Sequence, residues 1–289
     1  MALATSVQMR LVMNVTRLAS VACLLASAPG VFAQVNIPLT VTGNEATGVI
    51  QLPGGVGAEL SITFEEVEEL NPAALNVSAK LVSPLELPAL LARLGGGGLI
   101  TLPAAFPVLL QIEPSPSSEL SFTGTVKVSL HTYNLDLLPT LPLALHSAPL
   151  GGPFRQIIQS EGIGSYRAGG TGGGFSEFVI VVDLRPIDTV ISGKFDAAQE
   201  LLDDHAPSIP GDVLAELQAL LSQAQTSYEA GATLAAIEQV TAFSGVVLAN
   251  SGEIPDVWRA NDSLVNVAGL LRAAADTLKF SLIRKEGQN

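Results

Sequence analysis

The side chains best able to do chemistry in this chain are few, and the densest group is acidic. Glu65, Glu66, Glu68 and Glu69 fall within five residues. Two carboxylates roughly 5–9.5 Å apart across a cleft can cleave a glycosidic bond, and clustered carboxylates can hold calcium. Calcium loops add Asp, Asn and Gly at fixed spacing, and the pattern Asp-x-Asp-x-Asp-Gly is missing. A solvated strand end is the plain reading of these four residues, with calcium next, so the metal assignment stays open. The three histidines are His131, His146 and His205. No two stand at metal-ligand spacing, and none belongs to His-Glu-x-x-His. His131 falls on the polar face of a predicted strand and is expected in solvent. His146 lies in an apolar, Pro-punctuated segment and reads as a satisfied loop histidine. His205 follows Asp203-Asp204 at a helix end, where the dipole favours a cation, and capping is expected of it.

Gly169 to Gly174 (Gly-Gly-Thr-Gly-Gly-Gly) invites comparison with phosphate-cradling loops. Such a loop must open a helix whose first amides bind the anion. Here Phe175 to Leu184 follows and reads as strand, so a hairpin or bulge is expected instead. The nearest approach to a serine nucleophile elbow, Gly174-Phe175-Ser176-Glu177-Phe178, lacks the second glycine and lies in a predicted strand. No catalytic residue and no cofactor is assigned from the sequence, and the chain is not read as an enzyme.

The first 33 residues indicate destination. Arg10 and Arg17 precede the apolar run Leu18 to Ala28, Pro29-Gly30 breaks it, and Val31-Phe32-Ala33 leads to Gln34. A basic start, a short apolar core and a small residue before the cut form a secretory signal peptide, residues 1–33. The run is shorter than the roughly 20 apolar residues that span a bilayer. Lipidation at Cys23 is the weaker alternative, because Ser20-Val21-Ala22 precedes it with no Leu three residues before. Cleavage removes Cys23, the one cysteine of the chain, leaving no disulfide, thiol nucleophile or Cys-based metal site. It also removes two arginines, moving the net charge from −13 to −15. That charge repels nucleic acid and anionic membranes. With 48% hydrophobic and only 14% charged residues, the chain is globular rather than an acidic disordered one. The expected address is exported, periplasmic or extracellular.

Between residues 35 and about 184 the period is 2. Val35 to Thr42, Glu59 to Glu65 and Leu75 to Leu81 alternate. In Phe122 to Leu130, Phe122, Gly124, Val126, Val128 and Leu130 face one way. Phe175 to Leu184 is nearly all apolar, as a central strand would be. Gly and Pro clusters separate the runs, and one short helix, Leu87 to Leu94, interrupts them. From Gly193 the period becomes 3.6. Helices are predicted over Phe195 to Asp204, over Pro210 to Ala230 (Leu214, Leu217, Leu221, Ala224 and Tyr228 on one face), and over Thr233 to Asn250 (Leu234, Ile237, Val240, Phe243, Val247). A fourth is opened by Pro255 and presents Leu264, Val267, Leu271, Ala274 and Leu278. Gly231 suits the left-handed position after its helix. The link Arg185 to Ser192 is too short for a tether, so the two parts should abut. The fold class is α+β by segregation: an antiparallel β-sandwich over 34–190, then a helical bundle over 193–285.

Two apolar, Pro-punctuated stretches, Leu99 to Ile112 and Leu135 to Phe154, do not alternate cleanly. Leu137, Leu138, Leu141, Leu143 and Leu145 either cover an open end of the sandwich or line a cleft for an apolar ligand. Tyr133, Tyr166, Tyr228 and Trp258 are the candidates for a sugar platform, with Trp258 and Tyr228 placed on helices.

The helical region resembles the FIMAH type of helical module found at the ends of secreted bacterial enzymes and surface proteins. The resemblance is carried by Leu214 to Ala224, Gly231, Ala235-Ala236-Ile237 with Phe243, Gly252, and Leu264 to Leu278. It implies an accessory or interaction module without an active site. The mature chain is also similar to an uncharacterised family of secreted bacterial proteins known only as a domain of unknown function. Gly164-Ser165-Tyr166-Arg167 through Gly174-Phe175-Ser176-Glu177-Phe178 carries that likeness. The reading is an exported, non-enzymatic binding or interaction protein whose partner is an unidentified protein, glycan or apolar ligand. A carrier of an apolar, lipid-like ligand and a glycan-active enzyme using Glu65 to Glu69 are the alternatives.

Overall fold

Alternating apolar residues give strands that bury one face, and here two sheets bury those faces against each other. The computed structural model describes residues 33–137, 141–162, 164–175, 177–262 and 264–287. The expected leader, residues 1–33, lies outside the described residues except for Ala33, as do Leu138 and Ser176. In chain order the strands are β1 (Val35–Asn36), β2 (Leu39–Thr42), β3 (Glu45–Leu52), β4 (Val56–Glu68), β5 (Val77–Leu81), β6 (Ile100–Thr101) and β7 (Val108–Ile112). They continue as β8 (Ser121–Asp136), β9 (Leu143–Ala148), β10 (Arg155–Gln156), β11 (Ile158–Gly162), β12 (Ser165–Gly172) and β13 (Glu177–Asp183), with β14 (Val257–Arg259) much later. The first sheet runs β1-β5-β7-β13-β9-β10, and β6 also pairs with β13. The second runs β11-β12-β8-β4-β3-β2, and β14 pairs with β8. Every strand pair is antiparallel.

Val77, Leu110, Leu145 and Ile180 from the first sheet share one core with Ile50, Leu60, Ile62, Val128 and Tyr166 from the second. The expected inward set of β8 is buried, and β13 is central and buried along its whole length. On the other face of the first sheet, helix α2 (Leu87–Leu94) covers a smaller core of Leu90, Leu94, Val179 and Val181. A single turn, α1 (Pro72–Leu75), precedes β5, with Asn71 capping it through the Ala74 amide at 2.9 Å.

The structure corrects the expected element boundaries at four places. Val35 to Thr42 is not one strand. Ile37 still donates to Val77 O at 2.9 Å, but Pro38 has no amide to continue the ladder, and the chain crosses there from the first sheet to the second. The stretches Leu99–Ile112 and Leu135–Phe154 are not loop-like covers, because they contain β6, β7 and β9. The first long helix, α3 (Ile187–His205), begins two turns earlier than the period suggested, directly after Pro186. Finally, Pro255 does not open a helix: Val257-Trp258-Arg259 joins β8 as β14.

The remaining helices are α4 (Gly211–Glu229), α5 (Thr233–Ala249) and α6 (Val267–Glu286). Gly231 has φ +80°, as its position after α4 required. Their shared core holds Phe195, Leu202, Leu217, Val240, Phe243, Leu271 and Leu278, whereas Leu234 and Leu264, expected inward, are exposed. α6 is buried on more than one side. Leu271, Leu278 and Leu282 belong to the helical core, and Phe280 packs against the core of the sheets. All the described residues fall in one compact unit. Among them, no helix is long and apolar enough to cross a membrane.

Candidate functional site

The four glutamates do not converge. β8 carries one extra residue opposite Glu65, absorbed at Gly124 with φ +77°. The Glu65 carboxylate accepts both terminal nitrogens of Arg272 on α6 at 2.7 Å, and Thr125 Oγ1 and its amide at 2.8 and 3.2 Å. Burial pushes this carboxyl up, but Arg272 and Thr125 outweigh it and hold the group below its ordinary value. Glu65 therefore fastens α6 to β4. Glu66, Glu68 and Glu69 are exposed, and Glu68 accepts only a long bond from Ser121 at 3.3 Å. Among the described residues, no three His, Cys, Asp or Glu side chains cluster to hold a metal ion.

The glycine run 169–174 serves close packing. A Cβ on Gly173 would sit 2.5 Å from the Leu270 amide nitrogen and 2.8 Å from Asn266 O. The first turn of α6 thus lies directly on this loop, and its Gly269 amide is already capped by Asn266 Oδ1 at 2.7 Å. The aromatic candidates scatter likewise. Trp258 stacks on Phe122 with centroids 5.4 Å apart and joins Phe64 and Phe175 at the end of the core, on a strand rather than a helix. Tyr166 is fully buried, Tyr228 bonds Asp188, and Tyr133 is exposed beside His131.

Two of the histidines have structured surroundings. His131 bridges three strands: Nδ1 lies 3.0 Å from Glu59 Oε2 and Nε2 lies 3.0 Å from Ser165 Oγ. Acid, imidazole and hydroxyl stand in the order of a nucleophilic triad. The open trough of about 1200 Å³ over this face is bordered by Glu59 and His131 but not by Ser165. His205 ends α3, where capping was expected of it.

His146 is the exception to the sequence reading. It is not in a loop but on β9, 1% exposed, and its Nδ1 has no hydrogen-bond partner among the described residues. It borders a cavity of about 680 Å³ between the β9–β10 edge, the glycine run and helices α3 and α6. Leu94, Val126, Phe154, Phe178, Leu201 and Leu270 give the cavity its apolar wall. Leu143 and Leu145, proposed from sequence as cleft lining, point instead into the common core of the sheets.

Lys194, Arg185 and Thr277, which the sequence reading passed over, also border this cavity. Lys194, buried on α3, donates to Thr277 O, Thr277 Oγ1 and Ser281 Oγ at 2.9, 2.7 and 2.7 Å. Burial drives its ammonium well below the ordinary lysine value, with Arg284 and Arg185 adding to the effect. Asp183 binds Arg185 through two bonds of 2.8 and 2.6 Å and lies 4.0 Å from His146 Nε2. Burial raises the Asp183 carboxyl, and Arg185 more than reverses that. Burial likewise pushes the His146 imidazole down to about 3, so the ring is neutral. One signal for Lys194 was available, since it occupies an apolar-stripe position among Val190, Ile191, Phe195 and Ala198. The helix start before Gly193 had to be recognised first.

A family of unknown function (DUF6689) matches residues 20–286, nearly the whole chain. No curated protein matches it.

Proposed function

We propose, from the premise that the chain belongs to this family of unknown function, that it is an exported, non-enzymatic binding protein carrying an apolar small molecule. The single observation that supports this is the cavity of about 680 Å³, largely apolar along its wall and bordered by His146, whose buried Nδ1 has no partner among the described residues. Concave, mostly apolar pockets of several hundred Å³ with a few convergent polar groups are the usual form of small-molecule sites. An unpaired buried polar atom costs on the order of 1–3 kcal/mol, and a ligand that bonds it recovers that cost.

The two sheets sharing one core are taken as a β-sandwich, and α3 to α6 as a helical bundle whose Gly231 turn and buried Phe243 agree with a FIMAH-like module. Export rests on the basic, apolar and small-residue pattern of the first 33 residues. The engagement of Glu65 by Arg272 weighs against the glycan-active alternative.

Native mass spectrometry of the protein recovered from the cell envelope tests the reading. A chain starting at Gln34 with a discrete, extractable extra mass is the expected result. A ligand-free protein that also fails to take up the neutral apolar dye N-phenyl-1-naphthylamine would overturn carriage. Ester hydrolysis lost on Ser165→Ala would overturn the non-enzymatic part.

A further inference from the structure

We infer that the ligand of this cavity is an apolar chain ending in a single carboxylate, seated with its head against His146 and near Lys194. The inference rests on the carriage reading above and adds the chemical class of the ligand. Asp183 and Arg185 neutralise each other through their paired bonds. Lys194 differs, because all three acceptors of its ammonium are uncharged hydroxyl or carbonyl oxygens. Without a carboxylate partner among the described residues, this ammonium is disfavoured by burial, and an anion beside it would hold its proton. A buried charge without a counter-ion is costly, and an anion brought beside it in a low-dielectric site is strongly favoured.

His146, whose Nδ1 lacks a partner among the described residues, borders the same cavity. A carboxylate serves both groups: with the imidazole proton on Nδ1 the ring donates to it, and its charge holds the Lys194 ammonium. An alcohol head would satisfy the imidazole alone. The wall of Leu94, Phe154, Phe178, Leu201 and Leu270 accounts for the chain. The mouth has the opposite sign, since exposed Asp196, Glu200 and Asp204 follow one another along α3, with Glu200 paired to Arg155. Selectivity for the anion therefore comes from His146 and Lys194 and not from steering. Raising the ionic strength should speed association, because it screens the mouth.

The test displaces N-phenyl-1-naphthylamine from delipidated full-length mature protein with dodecanoate or dodecan-1-ol. Dodecanoate is expected to displace the dye at about tenfold lower concentration, the size of one charge-assisted hydrogen bond. His146→Leu, and separately Lys194→Met, should bring the two ligands to near equality. The wild-type comparison decides the matter even where a variant does not fold. Equal displacement by acid and alcohol would overturn the carboxylate head and leave carriage standing. A dye that never binds would overturn carriage itself. Stronger displacement by dodecyl phosphate than by dodecanoate would overturn the single-charge assignment.

Discussion

At the scale of single residues, the groups that matter are the buried polar atoms without a complete set of partners. His146 is neutral in the folded protein, with its titration held down near 3 by burial. Unfolded, it titrates near 6.5. Above 6.5 both states are neutral, and the group contributes nothing to the pH dependence. As pH falls from 6.5 towards 3, only the unfolded state takes up the proton, so stability is lost by up to about 4 kcal/mol. Asp183, Arg185 and Lys194 surround the ring, and the buried carboxylate among them stays charged until lower pH. His146→Leu should therefore flatten stability between pH 6.5 and about 4.5, where most carboxylates have not begun to protonate. Urea unfolding of ligand-free protein across that range checks this, and an unchanged slope would place the sensitivity elsewhere. Tyr166 presents the simpler case of a fully buried hydroxyl with no partner among the described residues. Tyr166→Phe should leave thermal stability unchanged or raise it by about 1 kcal/mol, since only an unsatisfied oxygen is removed.

At the scale of elements, α6 is the piece on which the arrangement depends. It meets the glycine run at Gly173, β4 through Arg272 and Glu65, and β11 through Thr277, whose hydroxyl donates to Ile158 O at 2.9 Å. A Cβ at Gly173 meets backbone, which cannot rotate away. Gly173→Ala should cost about 1–3 kcal/mol by forcing α6 off the loop, measurable as a lower urea midpoint with an unchanged slope. Much of this level was legible in the chain. The inward residues of β8, the central place of β13, helix Leu87–Leu94 and the turn at Gly231 all follow from local periodicity and backbone preference. What could not be read were long-range choices. Pro38 ends one ladder, but nothing local says that the chain then joins the opposite sheet. Val257-Trp258-Arg259 has no pattern of its own and becomes a strand only because β8 offers an open edge beside it. The cavity escaped for the same reason, because His146 and Thr277 lie far in the chain from Arg185 and Lys194, and their shared surroundings come from packing.

At the scale of the whole molecule, the sheets and helices are joined through α6 rather than through a linker. α3 starts within a few residues of the end of β13, and α6 returns to bury Phe280 against the core of the sheets. A single cooperative thermal transition is expected, followed identically by far-ultraviolet circular dichroism and by the fluorescence of Trp258. Two separated transitions would show that the helices unfold independently. The order in which the first sheet is assembled has a kinetic consequence. Its central strand, β13, is the last of its strands to be synthesised, and among the described residues no other strand in that sheet hydrogen-bonds the β1-β5-β7 half to the β9-β10 half. A growing chain must hold two unjoined half-sheets until residues 177–183 emerge, then close them through pairings distant in sequence, which is slow. For the exported chain proposed above, that late closure would lengthen the time in which the polypeptide can be threaded through a membrane unfolded.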